Sequence, residues 1–232
     1  MRQAKAGAPE GLCIIAREQT RGRGRLERSW HSPKDAGLYL SVLLRPGFEL
    51  GHWPLINLAA ALAVHDAILK TCDLKVDIKW PNDLCVNDRK LCGILAETVE
   101  TQAGQAVIIG VGINLRDESL PPELKPLATS LQSATGVDVD RDELANNLMK
   151  AFAERYEVLR ISDGGEQTIR EWCANSSYAF DRQVRVSLSD DSFIGVTRGV
   201  ESDGALRVET TTGEIRIVRA GDVTALRLYQ SS

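Results

Sequence analysis

DIKWPNDLCVNDRKLCGILAETVE, residues 77–100, reads as a strand, a stop and a hairpin. VDIKW (76–80) is a short strand ended by Pro81, which cannot donate to a sheet ladder. LCVN (84–87) and KLCGILAETVE (90–100) flank Asn87-Asp88, a pair suited to a tight hairpin turn. Outward on the C-terminal side, QAVIIGVGINL (105–115) is a buried strand entered through a turn at Gly104. On the N-terminal side, LYLSVLLR (38–45) and LCIIARE (12–18) read as two more buried strands, and LINLAAALAVHDAILK (55–70) is the strongest helix, with Pro54 where a first-turn proline is tolerated.

Past a loop with three prolines, PPELKPLATSL (121–131), helical periodicity returns over 142–160 and 166–174. From Gln183 the pattern changes to short alternating segments divided by Asp/Gly turns: QVRVSLS, SFIGVTRGV, GALRVET, EIRIVRA and DVTALRL. That spacing predicts a small all-β barrel of about five strands, with a boundary near Ser177 to Phe180.

The 232 residues suffice for one medium domain with an appendage, and 43% hydrophobic with 26% charged residues is ordinary for a globular protein. A net charge of −4 argues against a general nucleic-acid binder. No apolar run is expected to span a bilayer, and MRQAKAGAPEG lacks the apolar core of a signal peptide. A cytoplasmic chain with no membrane or DNA partner is therefore expected. Five cysteines without a CxxC pair argue against a zinc cluster or disulfide framework.

Four stretches could carry chemistry. RGRGRLERSW (21–30) sets arginines among glycines: exposed amides and planar guanidinium groups suit phosphate or carboxylate, although a solvated turn would read the same. DIKWPNDL (77–84) places an aromatic, an amide and a carboxylate just after a strand, where ligand groups often sit. In RKLCGIL (89–95), Lys90 is either a solvated strand end or a fixed charge beside a site, and Gly93 marks a close approach to the backbone. Cys92 reads as a buried thiol rather than a nucleophile, since no base partner is evident. IIGVGINL (108–115) holds Gly110-x-Gly112 but lacks the third glycine and helix of a dinucleotide fingerprint.

Taken together, GRGRLERSW, KWPND, KLCGIL and GVGIN resemble, in order and spacing, the biotin protein ligases. The family pattern is G-R-G-R-x-x-R-x-W, then K-W-P-N-D, K-x-x-G-I-L and G-x-G-I-N, and the tail resembles its small SH3-like C-terminal domain. The resemblance implies an α+β fold: a mixed β-sheet catalytic domain with flanking helices over 1–178, of the class II synthetase and lipoate-biotin ligase type, and an SH3-like barrel over 179–232. It implies joining of biotin to ATP, with Mg2+, to give biotinyl-5′-AMP. It further implies transfer of biotin to a lysine of a biotin carboxyl carrier protein.

By the same resemblance Arg25, Lys90 and Asp83 are catalytic. Gln19, Gly22, Arg23, Lys90 and Gly93 contact biotin. Arg23, Arg25, Arg28, Trp30, Asn82, Asn114 and Arg198 face ATP or the adenylate. Arg25 takes the central phosphate role, Lys90 contacts the biotin carboxyl and the phosphate, and Asp83 orients Lys90 or assists the incoming lysine. No helix-turn-helix segment occurs in the chain, so no repressor role is expected. The family's Asp-Ser-Thr-Asn segment does not occur either, which predicts residues upstream of Met1. The resemblance leaves monomer and homodimer both open. A lipoate or octanoate ligase of the same superfamily and an inactive relative are the alternatives.

Overall fold

Asn87 and Asp88 both adopt left-handed backbone (φ 51° and 59°), the geometry of a two-residue turn that matches strand twist. The computed structural model describes residues 1–226. The predicted final strand, DVTALRL, runs past that point, so its Arg227 and Leu228 lie outside the described residues.

The first sheet contains β1 (Cys13–Ala16), β2 (Gly37–Leu44), β3 (Asp77–Lys79), β4 (Asp83–Val86), β5 (Arg89–Thr101) and β6 (Gly104–Asn114), in the spatial order β1-β2-β6-β5-β4-β3. The expected α+β class is the one observed. Every pairing of these strands is antiparallel, however, where a mixed sheet was expected. The strands follow one another through short turns and need no parallel crossover. A lone parallel bridge joins Lys90 to Ala128.

One row of the register crosses all six strands: Ala16, Tyr39, Gly112, Gly93, Asp83, Lys79. Directly opposed residues share a face of the sheet, so two glycines, a carboxylate and a lysine stand side by side. The ladder between β4 and β5 then slips at Leu84/Cys85, passing from Leu84↔Cys92 to Cys85↔Lys90. Leu91 is skipped, and both Leu91 and Cys92 are fully buried. The slip turns Lys90 to the same side as Gly93, where its Cε and Nζ lie 3.2 Å from the point a Gly93 Cβ would occupy. Bulges commonly re-aim side chains beside active sites.

The helices are α1 (Arg2–Lys5), α2 (Leu55–Cys72), α3 (Leu131–Thr135), α4 (Arg141–Val158) and α5 (Gly164–Ala174). α1 is a single turn that seats Ala4 against Leu43, Val99 and Ala106. α2 is apolar on nearly every side and buries Leu55, Ile56, Leu62 and Ile68 completely between the sheet, α4 and α5. It also corrects an expectation: Leu50–Cys72 is long and apolar enough to cross a membrane by composition, yet most of it is buried inside the fold. α4 starts at Asp140, whose carboxylate accepts from the Asp142 and Glu143 amides at 2.8 and 3.0 Å, a cap worth about 1 kcal/mol.

β1 is a second correction. It is an edge strand, not a buried one, and Ile14 and Ile15 are 48% and 45% exposed. An apolar run alone does not distinguish a central strand from an edge.

The C-terminal strands are β7 (Phe180–Ser187), β8 (Ser192–Val200), β9 (Leu206–Thr210), β10 (Ile215–Val218) and β11 (Asp222–Ala225), ordered β10-β9-β8-β7-β11. Val184, Val186, Leu206 and Val208 point inward and join the core of the first sheet. Trp80 is buried at this junction and donates its indole N–H to the Gly204 carbonyl at 3.0 Å. Its role is packing, the plainer of the readings open to it from sequence.

Candidate active site

A cavity of about 780 Å³ opens over the register row. Its floor carries Gly112, Gly93, Asp83 and Lys79, its roof is the arginine loop, and one wall comes from β11.

The loop is itself a hairpin. Trp30 N–H donates to the Gly22 carbonyl at 2.9 Å, and Gly24 N–H to the Arg28 carbonyl at 2.7 Å. Leu26 and Glu27 take left-handed backbone at its tip (φ 53° and 59°). Glycine at 22 has a steric reason: a Cβ there would lie 2.2 Å from the Trp30 carbonyl oxygen. Gln19 anchors the loop base, accepting from the Ser32 hydroxyl at 2.8 Å.

Three arginines descend from this hairpin to three different elements. Arg23 makes a bidentate pair with Glu97 at 2.6 and 2.5 Å. Arg28 pairs with Asp222 of β11. Arg25 has only neutral partners, the Asn82 amide oxygen at 3.3 Å and the Gly221 carbonyl at 3.4 Å. Burial holds its guanidinium below the ordinary value, even though Asp222 and Asp83 attract the charge. A half-buried arginine without a carboxylate partner is suited to an anion from outside the chain.

Trp30 lies flat against the sheet. A Cβ at Gly112 would fall 2.5 Å from its Nε1, and one at Gly93 would fall 2.9 Å from its Cζ3. The two glycines are the socket for the ring. The Lys90 ammonium stands 5.3 Å from the ring centroid, within cation–π range, and 2.6 Å from Asp83 Oδ1. That oxygen accepts no well-aligned hydrogen bond, so the contact is an ion pair rather than a directed bond. Asn82 donates to the Ile94 carbonyl at 2.7 Å, and Asn114 to the Thr129 carbonyl at 3.0 Å, which fixes both amides at the cavity wall.

The structure thus gathers Gln19, Gly93, Arg23, Arg25, Arg28, Trp30, Asn82, Asp83, Lys90 and Asn114 around one cavity, with Gly22 in the loop above. Arg198 is the exception. It pairs with Glu209 at 2.6 Å and with Asp181, on the barrel and away from the cavity lining. β11 supplies the barrel's share instead, through Asp222 and Thr224. Cys92 is no nucleophile: burial pushes its thiol far above the ordinary value, and that of neighbouring Cys85 up to about 12.

Sequence reasoning missed Glu97, Asp222, and Gly112 as half of the indole socket. Glu97 had a signal, since it follows Gly93 by four residues along β5 and so shares its face. Asp222 had none, being 194 residues along the chain from Arg28.

Comparison with known proteins supplies independent findings. Residues 3–114 match the model of the biotin/lipoate A/B protein ligase family, and residues 179–224 that of the biotin protein ligase C terminal domain. The biotin--[acetyl-CoA-carboxylase] ligase of Mycobacterium tuberculosis is 32% identical over 231 residues, covering 97% of this chain and 83% of its own. The bifunctional ligase/repressor BirA of Bacillus subtilis is 36% identical over 220 residues, covering 94% of this chain and 67% of its own. Among solved structures, the Aquifex aeolicus biotin protein ligase in complex with biotin and ATP superposes with a TM-score of 0.83 at 29% identity, covering 98% of this chain and 94% of that one.

Proposed function

The chain belongs to the biotin protein ligase family and is a ligase, and from that premise we propose that it activates biotin with ATP and passes the biotinyl group to a lysine of a carboxylase carrier domain. The ligands held by the Aquifex relative support biotin and ATP as the substrates. The names of the Mycobacterium and Paracoccus relatives support an acetyl-CoA carboxylase component as acceptor. The chain's acidic balance, a net charge of −4, favours catalysis over operator binding for these residues.

The observation that carries the reading is Arg25, half-buried without a carboxylate, in one cavity with Lys90 held by Asp83. In the first step a biotin carboxylate oxygen bonds to the α-phosphorus. The bond from that phosphorus to the bridging oxygen breaks, and pyrophosphate leaves with the electron pair. Two anions must meet, so positioning and charge stabilisation are the main demands. Arg25 and Lys90 supply fixed positive charge at the meeting point. Asn82, Asn114 and the lid arginines line the adenylate side, and Gln19 and Gly93 the biotin side. In the second step a lysine amine attacks the acyl carbon, AMP departs, and the nitrogen loses a proton, with Asp83 the nearest carboxylate to receive it.

Mg2+ enters with ATP. Among the described residues no cluster of three ligating side chains forms, and magnesium is commonly held by substrate phosphates and water with few protein ligands. We assign residues 1–178 to this catalysis and the barrel from 179 onward to closing the cavity through β11.

The test is formation of AMP and pyrophosphate from ATP on addition of biotin, with lipoate in parallel and a carrier domain as acceptor. Turnover with biotin alone is expected. Turnover with lipoate alone would replace the substrate in this reading, and silence with both acids would end it.

A further inference from the structure

The chemistry above leaves one cavity cation without a task. Lys79 closes β3 and stands opposite Asp83 in the register row, so it shares the cavity face with Asp83 and Gly93. Arg23, Arg28 and Lys90 are each matched to a carboxylate. Among the described residues, Lys79 has none in ion-pair contact. Its ammonium instead stands 5.8 Å from the centroid of the Tyr178 ring. The nearby Asp88 carboxylate is engaged by Arg182 at 3.1 Å and by the Tyr178 hydroxyl at 3.3 Å. The arrangement leaves a half-buried positive charge free on a rigid strand.

Its position along the row gives that charge a direction. Lys90 sits over Gly93. Lys79 is two strands farther along, roughly 10 Å at the backbone. A triphosphate with its α-phosphorus beside Lys90 and Arg25 would extend its terminal phosphates toward that end of the floor. Departure of pyrophosphate puts negative charge there as the bond to the α-phosphorus breaks, and lysine serves phosphates well as a compact point charge.

We infer that Lys79 grips the β- and γ-phosphates of the nucleotide and steadies the leaving pyrophosphate. This rests on the ATP-dependent reading above and names a subsite within it.

The experiment uses the full chain with Lys79→Met and Lys79→Arg. Equilibrium binding of ATP, AMP and inorganic pyrophosphate is measured with magnesium present, alongside steady-state adenylation. Loss of one charge-assisted contact predicts that Lys79→Met weakens ATP and pyrophosphate by roughly 10- to 100-fold. AMP binding, the KM for biotin and the thermal midpoint should stay at wild-type values, and Lys79→Arg should restore most of the loss. Equal weakening of AMP and ATP would overturn the assignment, as would unchanged ATP binding or an effect confined to the KM for the carrier protein. If wild-type chain fails to turn over biotin yet prefers ATP to AMP, and Lys79→Met erases that preference, the biotin reading falls and the subsite stands.

Discussion

Lys90 Nζ lies 2.6 Å from Asp83 Oδ1 because the β4–β5 ladder slips by one residue between them. Without the slip, strict alternation would direct Lys90 to the face opposite Gly93. The pair should therefore act as a unit. Lys90→Met is expected to lower the adenylation rate by about 10²-fold or more, the range seen when a fixed transition-state donor is lost. Asp83→Asn should cost less, and adding it to Lys90→Met should cost little further. Single-turnover rates of the two variants and their combination check this; simple additivity would mean the residues work independently.

Gly112 tests the indole socket. An alanine there would place its Cβ 2.5 Å from Trp30 Nε1, and the ring must move. The overpacking cost is about 1–3 kcal/mol of stability, visible in a urea midpoint. Adenylation should fall by more than tenfold, because Lys90 loses the ring it stands over. Gly110→Ala is the control: its Cβ would meet no atom closer than 3.7 Å, so activity should hold.

The Arg28–Asp222 pair is largely exposed, so breaking it should change stability by less than about 1 kcal/mol. Its effect should appear in retention of the intermediate. Arg28→Asp is expected to speed release of the acyl-adenylate about fivefold or more, within the usual range of coupling between elements. The swapped pair Arg28→Asp with Asp222→Arg should recover part of that. Trapping free adenylate with hydroxylamine measures both, and identical release from all three proteins would remove the latch role.

A pH prediction comes from the network behind the sheet. Burial raises the Asp66 carboxyl, but hydrogen bonds from His65 and Arg155 outweigh it and hold the group below its ordinary value. Burial also raises Glu171, and bonds from Gln167 and Arg155 reverse it in the same way. Depressed carboxyls contribute stability that is complete above the unfolded value, near pH 4, and is lost as the pH falls through the folded one. Arg155→Met should therefore flatten the decline in urea midpoint below about pH 4. A wild-type slope in that variant would show that other carboxylates govern acid unfolding.

Much of this architecture is legible in the chain. Asn87-Asp88, the period-two runs from Gln183 and the Ala/Leu helix at 55–70 declare themselves locally, because turn backbone and side-chain alternation are local properties. The loop arginines and Lys90 are visible as charges amid glycine and apolar residues. What escapes is whatever depends on pairing between distant strands. The antiparallel course of the sheet, the exposed edge at Ile14 and Ile15, and the slip that aims Lys90 all follow from register. Arg198 shows the same limit from the other side: its place on β8 is predictable, but its two carboxylate partners, Glu209 and Asp181, are set by the fold. The contribution of β11 to the cavity could not be read from residues that carry no motif.

The hold of Asp222 and Gly221 on the arginine hairpin bears on how the protein is made. Chains fold from the N-terminus as they are synthesised, and the hairpin leaves the ribosome long before the residues that hold it down. Until β11 arrives, the roof lacks its anchor and the cavity lacks a wall. A nascent or prematurely ended chain that stops short of β11 would have its arginines and lysine but nothing to enclose a reactive mixed anhydride. Retention of that intermediate would thus be reserved for polypeptides translated at least through the last described strand, a form of quality control written into connectivity alone.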